Sequence, residues 1–206
     1  MGSGLFITVE GTDGSGKSTQ IALMAEYLRK MGHEVVLTRE PGGTNISEKI
    51  RSIILDPENR EMGYIAEALL YASSRAQHVA ELIKPSVEQG KVVICDRFVD
   101  SSYVYQGFGR GIDMQILESV NKIAMDGMFP DITFFFDISP EVALERRIQA
   151  TGADRIENEK MEFHMKVYRG YKSLAAKDPD RIKVIDADRS IEEIAEDVKL
   201  WLGRFL

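Results

Sequence analysis

An α/β fold, five parallel strands with helices on both faces in three layers, is what this sequence predicts, and three observations predict it. Five short runs rich in β-branched and aromatic residues punctuate the chain, nearly continuous in apolar residues rather than alternating. Strands covered on both faces of a parallel sheet read this way. Segments with apolar residues at helical spacing separate the runs. A glycine-rich turn joins the first run to the first of those segments. Alternation of strand and helix calls for a parallel sheet with right-handed crossovers.

The five strands are expected at Leu5 to Val9, Glu34 to Thr38, Lys91 to Cys95, Ile132 to Ile138 and Ile182 to Ile185. The first helix is expected from Ser18 to Met31, with Ile21, Met24, Ala25 and Leu28 on one face and Gly32 at its C-terminal end. Ala66 to Glu88 reads as a longer helix that Pro85 ends or kinks. Met114 to Met125, Pro140 to Ala150, Glu159 to Ala176 and Ile191 to Phe205 complete the helices, with Asp113, Ser139 and Ser190 placed as N-caps. No repeat, low-complexity tract or linker divides the chain, so residues 1–206 are expected to form one domain. Gly152 to Glu159, charged and glycine-containing between two helices, reads as a mobile loop.

Charge and composition narrow the partners. With 26 Lys and Arg against 33 Asp and Glu, the chain carries a net charge of −7, which repels extended polyanions and argues against nucleic-acid binding. A small phosphorylated molecule remains compatible if arginines gather in a cleft. No apolar run approaches the ~20 residues of a membrane span, and Leu5 to Val9 is too short and lacks the basic flank of a signal peptide. No membrane partner and a cytoplasmic location are therefore expected. Cys95, the only cysteine, reads as core filler inside its strand. His33, His78 and His164 lack metal-ligand spacing and are expected in surface or structural roles.

Gly11-Thr12-Asp13-Gly14-Ser15-Gly16-Lys17-Ser18 matches G-x-x-x-x-G-K-[ST] at every fixed position, between a predicted strand and a predicted helix. Glycines let the backbone wrap a phosphate chain with its N–H groups pointing inward, and the helix N-terminus adds partial positive charge. The fold is therefore expected to be of the P-loop nucleotide-hydrolase type. Gly11, Asp13, Gly14, Ser15, Gly16, Lys17, Ser18 and Thr19 are the expected ATP-binding residues. Lys17 should reach the β- and γ-phosphates, and the Ser18 hydroxyl should ligate Mg²⁺. Guanine recognition requires N-K-x-D. Asn121-Lys122-Ile123-Ala124 has alanine in place of the carboxylate and lies mid-helix, so a GTPase is excluded.

The third strand ends in Asp96-Arg97-Phe98. Carboxyl ends of strands face the ligand crevice in open α/β sheets, so both polar side chains should project beside the P-loop. There Asp96 can hold Mg²⁺ through water and Arg97 can bridge donor and acceptor phosphates; a surface ion pair is the competing reading.

Residues 96 to 107, Asp-Arg-Phe-Val-Asp-Ser-Ser-Tyr-Val-Tyr-Gln-Gly, resemble the D-R-[YFH]-x-x-S-x-x-A-[YF]-Q pattern of thymidylate kinases, with Val104 for the usual alanine. Thr38-Arg39-Glu40-Pro41-Gly42-Gly43-Thr44, Tyr71-Ala72-Ser73-Ser74-Arg75 and Asp154-Arg155-Ile156-Glu157 resemble three further motifs of the bacterial family, in order and at family spacing from Phe6 to about Ile185. The resemblance implies transfer of the γ-phosphoryl of ATP to thymidine monophosphate (dTMP), with Mg²⁺ as cofactor, a lid at about residues 146–159, and a homodimer through the helix that carries Tyr71.

It also implies a set of residue roles. Tyr71 would stack on thymine and Arg75 would donate to a thymine carbonyl; four residues apart, they share one helix face. Core packing is the competing reading for Tyr71. Asp13 would accept from the 3′-hydroxyl, Tyr105 would fill the space of a ribose 2′-hydroxyl, and Ser102 would contact the base edge. Arg51 and Arg97 would hold the 5′-phosphate, with Glu40 and Gln106 also at the substrate. Arg39 is as consistent with a structural role as with substrate contact. No arginine lies inside the P-loop, so the lid would supply the charge on the transferring group, through Arg155 first; Arg146 and Arg147 could equally be a solvated helix end. Lys17, Arg97, Arg155 and Asp96 form the expected catalytic set. Glu157 could contact substrate or Mg²⁺ through water, or tie down the lid, and Asp186 to Arg189 is a candidate adenine contact.

Overall fold

The computed structural model describes residues 4–147, 155–156 and 158–205. Five parallel strands, β1 (Leu5–Glu10), β2 (Val35–Arg39), β3 (Val92–Asp96), β4 (Ile132–Asp137) and β5 (Ile182–Asp186), form one sheet in the order β2-β3-β1-β4-β5. The central strands β1, β3 and β4 are buried along almost their whole length, whereas the edge strands β2 and β5 are half exposed. Alternate residues of β1 serve opposite faces. Ile7 and Val9 pack with Ile21, Met24 and Leu28 of α1 (Lys17–Lys30). Phe6 packs on the other side with Val79, Ile83 and Phe98.

The helical segment expected at Ala66 to Glu88 is α3 (Tyr64–His78), continued by a π turn over Val79–Ile83 into α4 (Lys84–Glu88). Pro85 lies at the start of α4. It has no N–H to give to the carbonyl four residues back, and its ring crowds that carbonyl, so the turn before it widens. The remaining expected helices are α6 (Met114–Met125), α7 (Pro140–Arg147), α8 (Met161–Lys177) and α9 (Ile191–Leu202). All three expected N-caps are present: Asp113 accepts from the Gln115 N–H, Ser139 from the Val142 N–H, and Ser190 forms a capping box with Glu193.

Two helices were not among the expected elements. They are α2 (Asn45–Leu55), and α5 (Val99–Ser102), which runs on as a π segment over Tyr103–Gly109. Both follow strand ends and carry the crevice wall. Residues 148–154 and 157, with Asp154, Glu157 and the Arg147 side chain, lie outside the described residues.

Candidate active site

The P-loop spans the end of β1 and the start of α1. Gly16 takes φ 86° at the N-cap of α1, and Gly11 and Gly14 take φ 143° and 87°. Gly14 is constrained twice, since a Cβ there would stand 2.1 Å from the Ala143 carbonyl oxygen of α7. Lys17 folds over the loop, donating from Nζ to the carbonyls of Gly11 and Thr12 at 3.1 Å each, with Asp13 Oδ1 at 3.8 Å. Burial, and then the neighbouring Arg97 charge, lower its pKa. Ser18 and Thr19 sit exposed in the first turn of α1.

Across the crevice, Asp96 ends β3 in register with Val9 of β1. Its Oδ1 is buried with no hydrogen-bond partner among the described residues. Arg97 follows at φ 66°, a left-handed backbone uncommon outside glycine, and its N–H donates to the Val9 carbonyl at 2.9 Å. Its guanidinium donates to Asp13 Oδ1 at 2.9 Å and lies over the Tyr105 ring at 5.3 Å. That ion pair fixes the P-loop carboxylate against the strand-end arginine.

One cavity opens beside this pair. Asp13, Glu40, Arg51, Tyr71, Arg75, Arg97, Ser102, Tyr105 and Gln106, every side chain expected at the substrate, line it together with Pro41, Leu55, Phe98, Ser101 and Ile156. Arg75 is 1% exposed with every guanidinium nitrogen engaged: Nε and Nη2 meet Glu40 Oε2, Nη1 donates to Ser102 Oγ at 3.0 Å and to Asn121 Oδ1, and Nη2 donates to the Phe98 carbonyl at 3.1 Å. Phe98 also receives the guanidinium on its ring face, 5.1 Å from the centroid. Glu40 holds a second group, with its Oε1 3.1 Å from His78 Nδ1; Nε2 of that ring meets Thr38 Oγ1 at 2.7 Å. Arg51 donates to the Pro41 carbonyl at 2.7 Å. Gln106 gives its amide N–H to Glu67, while its Oε1 is buried without a hydrogen-bond partner among the described residues. Burial pushes the Tyr105 hydroxyl up, so it stays protonated.

Arg39 lies apart from the cavity, paired at the surface with Glu48 at 2.9 Å. Arg146 donates to the Ala187 carbonyl and to Asp188, tying α7 to the loop after β5. Arg155 is not brought to the P-loop. It donates to Glu67 Oε2 at 2.6 Å and to the Ile54 carbonyl at 2.8 Å, on the α2 and α3 side of the cavity. The reason is Glu67, a fully buried carboxylate on α3 that would be costly without cations. It takes Arg110, Arg155 and Gln106 as donors, and Arg110 reaches on to Glu159.

Sequence reasoning passed over several contributors. Asn121, weighed only as part of a guanine motif, steadies Arg75. Glu10, Ser101 and Tyr171 surround Arg97, and Glu67 gathers the arginines. Each is brought into place by tertiary contact, so a local motif could have flagged only Ser101, the fixed serine of its pattern.

A sequence profile of the thymidylate kinase family matches residues 9–198. A thymidylate kinase of Symbiobacterium thermophilum is 52% identical over 197 residues, covering 95% of this chain and 91% of its own. One from Clostridium novyi is 47% identical over 204 residues, covering 98% and 100%. The crystal structure of thymidylate kinase from Ehrlichia chaffeensis superposes with a TM-score of 0.81 at 37% identity, over 98% of this chain and all of that one.

Proposed function

This chain belongs to the thymidylate kinase family, and from that premise we infer that it transfers the γ-phosphoryl group of ATP to dTMP, giving ADP and thymidine diphosphate for deoxynucleotide synthesis. The observation that carries this reading is the convergence of all nine expected substrate side chains on one cavity, which meets the P-loop at Asp13.

The acceptor nucleophile is already a phosphate oxygen, so no strong base is required, and rate enhancement rests on alignment and charge neutralisation. Gly11 to Thr19 supply the ATP cradle, and Lys17, released from the Gly11 and Thr12 carbonyls, pairs with the β- and γ-phosphates. Mg²⁺ with ATP would be held by Ser18 and Asp96 and would neutralise phosphate charge. The buried Oδ1 of Asp96, with no hydrogen-bond partner among the described residues, fits that assignment. Arg51 and Arg97 hold the acceptor phosphate, Tyr71 stacks on the base, and Tyr105 occupies the sugar's 2′ side. The Arg75 guanidinium already makes four hydrogen bonds and an ion pair with Glu40, so a thymine carbonyl would compete with one of these partners; Ser102, a rotatable hydroxyl, is the partner easiest to reorient. Arg155 would serve the transferring group only on leaving Glu67.

We read residues 1–206 as one kinase domain, lid at about 146–159, acting as a homodimer in the cytoplasm. In support of the dimer, Ile65 and Leu69 of α3 and Ile116 and Ile123 of α6 are exposed on two helices that pack together. No helix among the described residues is long and apolar enough to cross a membrane. The deciding experiment is ADP release from MgATP with each nucleoside monophosphate in turn. Turnover that depends on dTMP, and weakly on the others, is expected; preference for another monophosphate would overturn the base-pocket assignment, and equal ADP without acceptor would overturn the kinase.

A further inference from the structure

Glu10 is fully buried at the end of β1, one residue before the P-loop, and the roles above do not use it. Its carboxylate takes four donors. Oε1 accepts from the N–H groups of Phe98 at 2.8 Å and Ser101 at 3.3 Å. Oε2 accepts from the Ser101 hydroxyl at 2.6 Å and the Tyr171 hydroxyl at 2.8 Å. Those same two hydroxyl oxygens face Arg97 Nη1, at 3.4 Å and 3.3 Å.

A hydroxyl has one hydrogen to give and lone pairs to offer. On the alkaline side of its titration at about 7 the carboxylate is ionised and purely an acceptor, so it draws both hydroxyl hydrogens to itself and leaves both oxygens to accept from the guanidinium. The backbone bonds to Oε1 also pin the turn that keeps Arg97 in its left-handed conformation. We propose that Glu10 is the positioning residue for Arg97: through Ser101 and Tyr171 it sets the polarity and the place of the groups that aim the guanidinium at the phosphates. The proposal rests on the reading that Arg97 serves those phosphates.

Glutamine is nearly isosteric yet cannot replace the carboxylate. With its amide NH₂ on the Oε1 side it meets two backbone N–H donors. With the NH₂ on the Oε2 side the hydroxyls lose that acceptor: one can donate to the other across 2.9 Å, and the second turns its hydrogen toward Arg97. At pH 8, where Glu10 is ionised, Glu10→Gln is therefore expected to lower kcat/KM for dTMP by about 10- to 100-fold, the scale of a roughly 1 Å misplacement. Affinity for a fluorescent ATP analogue, which reports the intact P-loop, should stay within about threefold.

Removing the group being positioned supplies the decisive comparison. In an Arg97→Met background, Glu10→Gln should cost less than about threefold, because nothing remains to be aimed. A full multiplicative loss in that background would show a general structural role and overturn the proposal. An Arg97→Met enzyme with wild-type kcat/KM would remove the premise and overturn it too, while leaving dTMP-dependent turnover intact. If Glu10→Gln does not bind the analogue, Tyr171→Phe, which keeps the carboxylate, decides by the same cycle: a loss that vanishes without Arg97 supports the proposal, and one that persists overturns it.

Discussion

Arg75 and Glu10 bring opposite charges into the same interior, and each makes a prediction of its own. Arg75 is 1% exposed with every guanidinium nitrogen engaged, and Glu40 opposite it is 4% exposed. Truncating Arg75 to Ala strands that carboxylate together with the Phe98 carbonyl, at a cost of about 3–5 kcal/mol. Urea unfolding of Arg75→Ala should show this as a lower midpoint with an unchanged slope; a loss under 1 kcal/mol would mean that the pair contributes little. Glu10 acts through protons. Burial first, then the Asp100 charge, push its carboxyl up to about 7 from an ordinary 4.5. Between those values the native chain binds more protons than the unfolded one, so this contribution is greatest below 4.5 and is lost as pH rises toward about 7. The stability difference between wild type and Glu10→Gln should therefore fall over that window and level off above it. A difference flat from pH 4.5 to 8 would contradict the buried-carboxyl account.

At the scale of elements, the junction of the P-loop with α7 is the tightest. Gly14→Ala places a methyl group 2.1 Å from the Ala143 carbonyl at a φ of 87°, so either the loop or the helix must shift. ATP affinity measured by calorimetry is expected to drop at least about tenfold, the consequence of displacing inward-pointing N–H groups; an unchanged affinity would show that α7 yields freely. This turn was legible in the sequence because glycine spacing is a local code. The central strands were legible because burial on both faces leaves a continuous apolar run. By contrast α2 lay hidden: its sequence, Asn45-Ile-Ser-Glu-Lys-Ile-Arg-Ser-Ile-Ile-Leu55, mixes β-branched residues of modest helix propensity with exposed Ile46 and Ile53. Its cap residue, Thr44, follows two glycines that read as loop. The helical run from Val99 was masked in the same way, since its residues read as a motif rather than as a period.

Across the whole molecule, the wall of the cavity was legible because family motifs mark it residue by residue, while its supports were not. Asn121, Tyr171 and Glu67 come from α6, α8 and α3, and only folding brings them beside Arg75, Arg97 and Arg155. Glu67 shows what such supports do. Burial alone would raise its carboxyl, yet hydrogen bonds from Arg110, Gln106 and Arg155 hold it below the ordinary carboxylate value. It is thus ionised under working conditions and holds Arg155, which also binds the Ile54 carbonyl of α2. The arginine expected to neutralise the transferring phosphoryl is therefore held beside the cavity, bonded to Glu67 and to the Ile54 carbonyl, while its neighbours Ile156 and Leu55 line the cavity. If Arg155 leaves those partners for the phosphoryl group only as the transition state forms, Arg155→Ala should depress kcat far more than it raises KM for dTMP. If instead its service is to hold the cavity wall, KM should rise with kcat unchanged. Steady-state kinetics at saturating MgATP separates the two. The first outcome is expected, because no arginine lies in the P-loop and residues 148–154 contain no basic side chain to take its place.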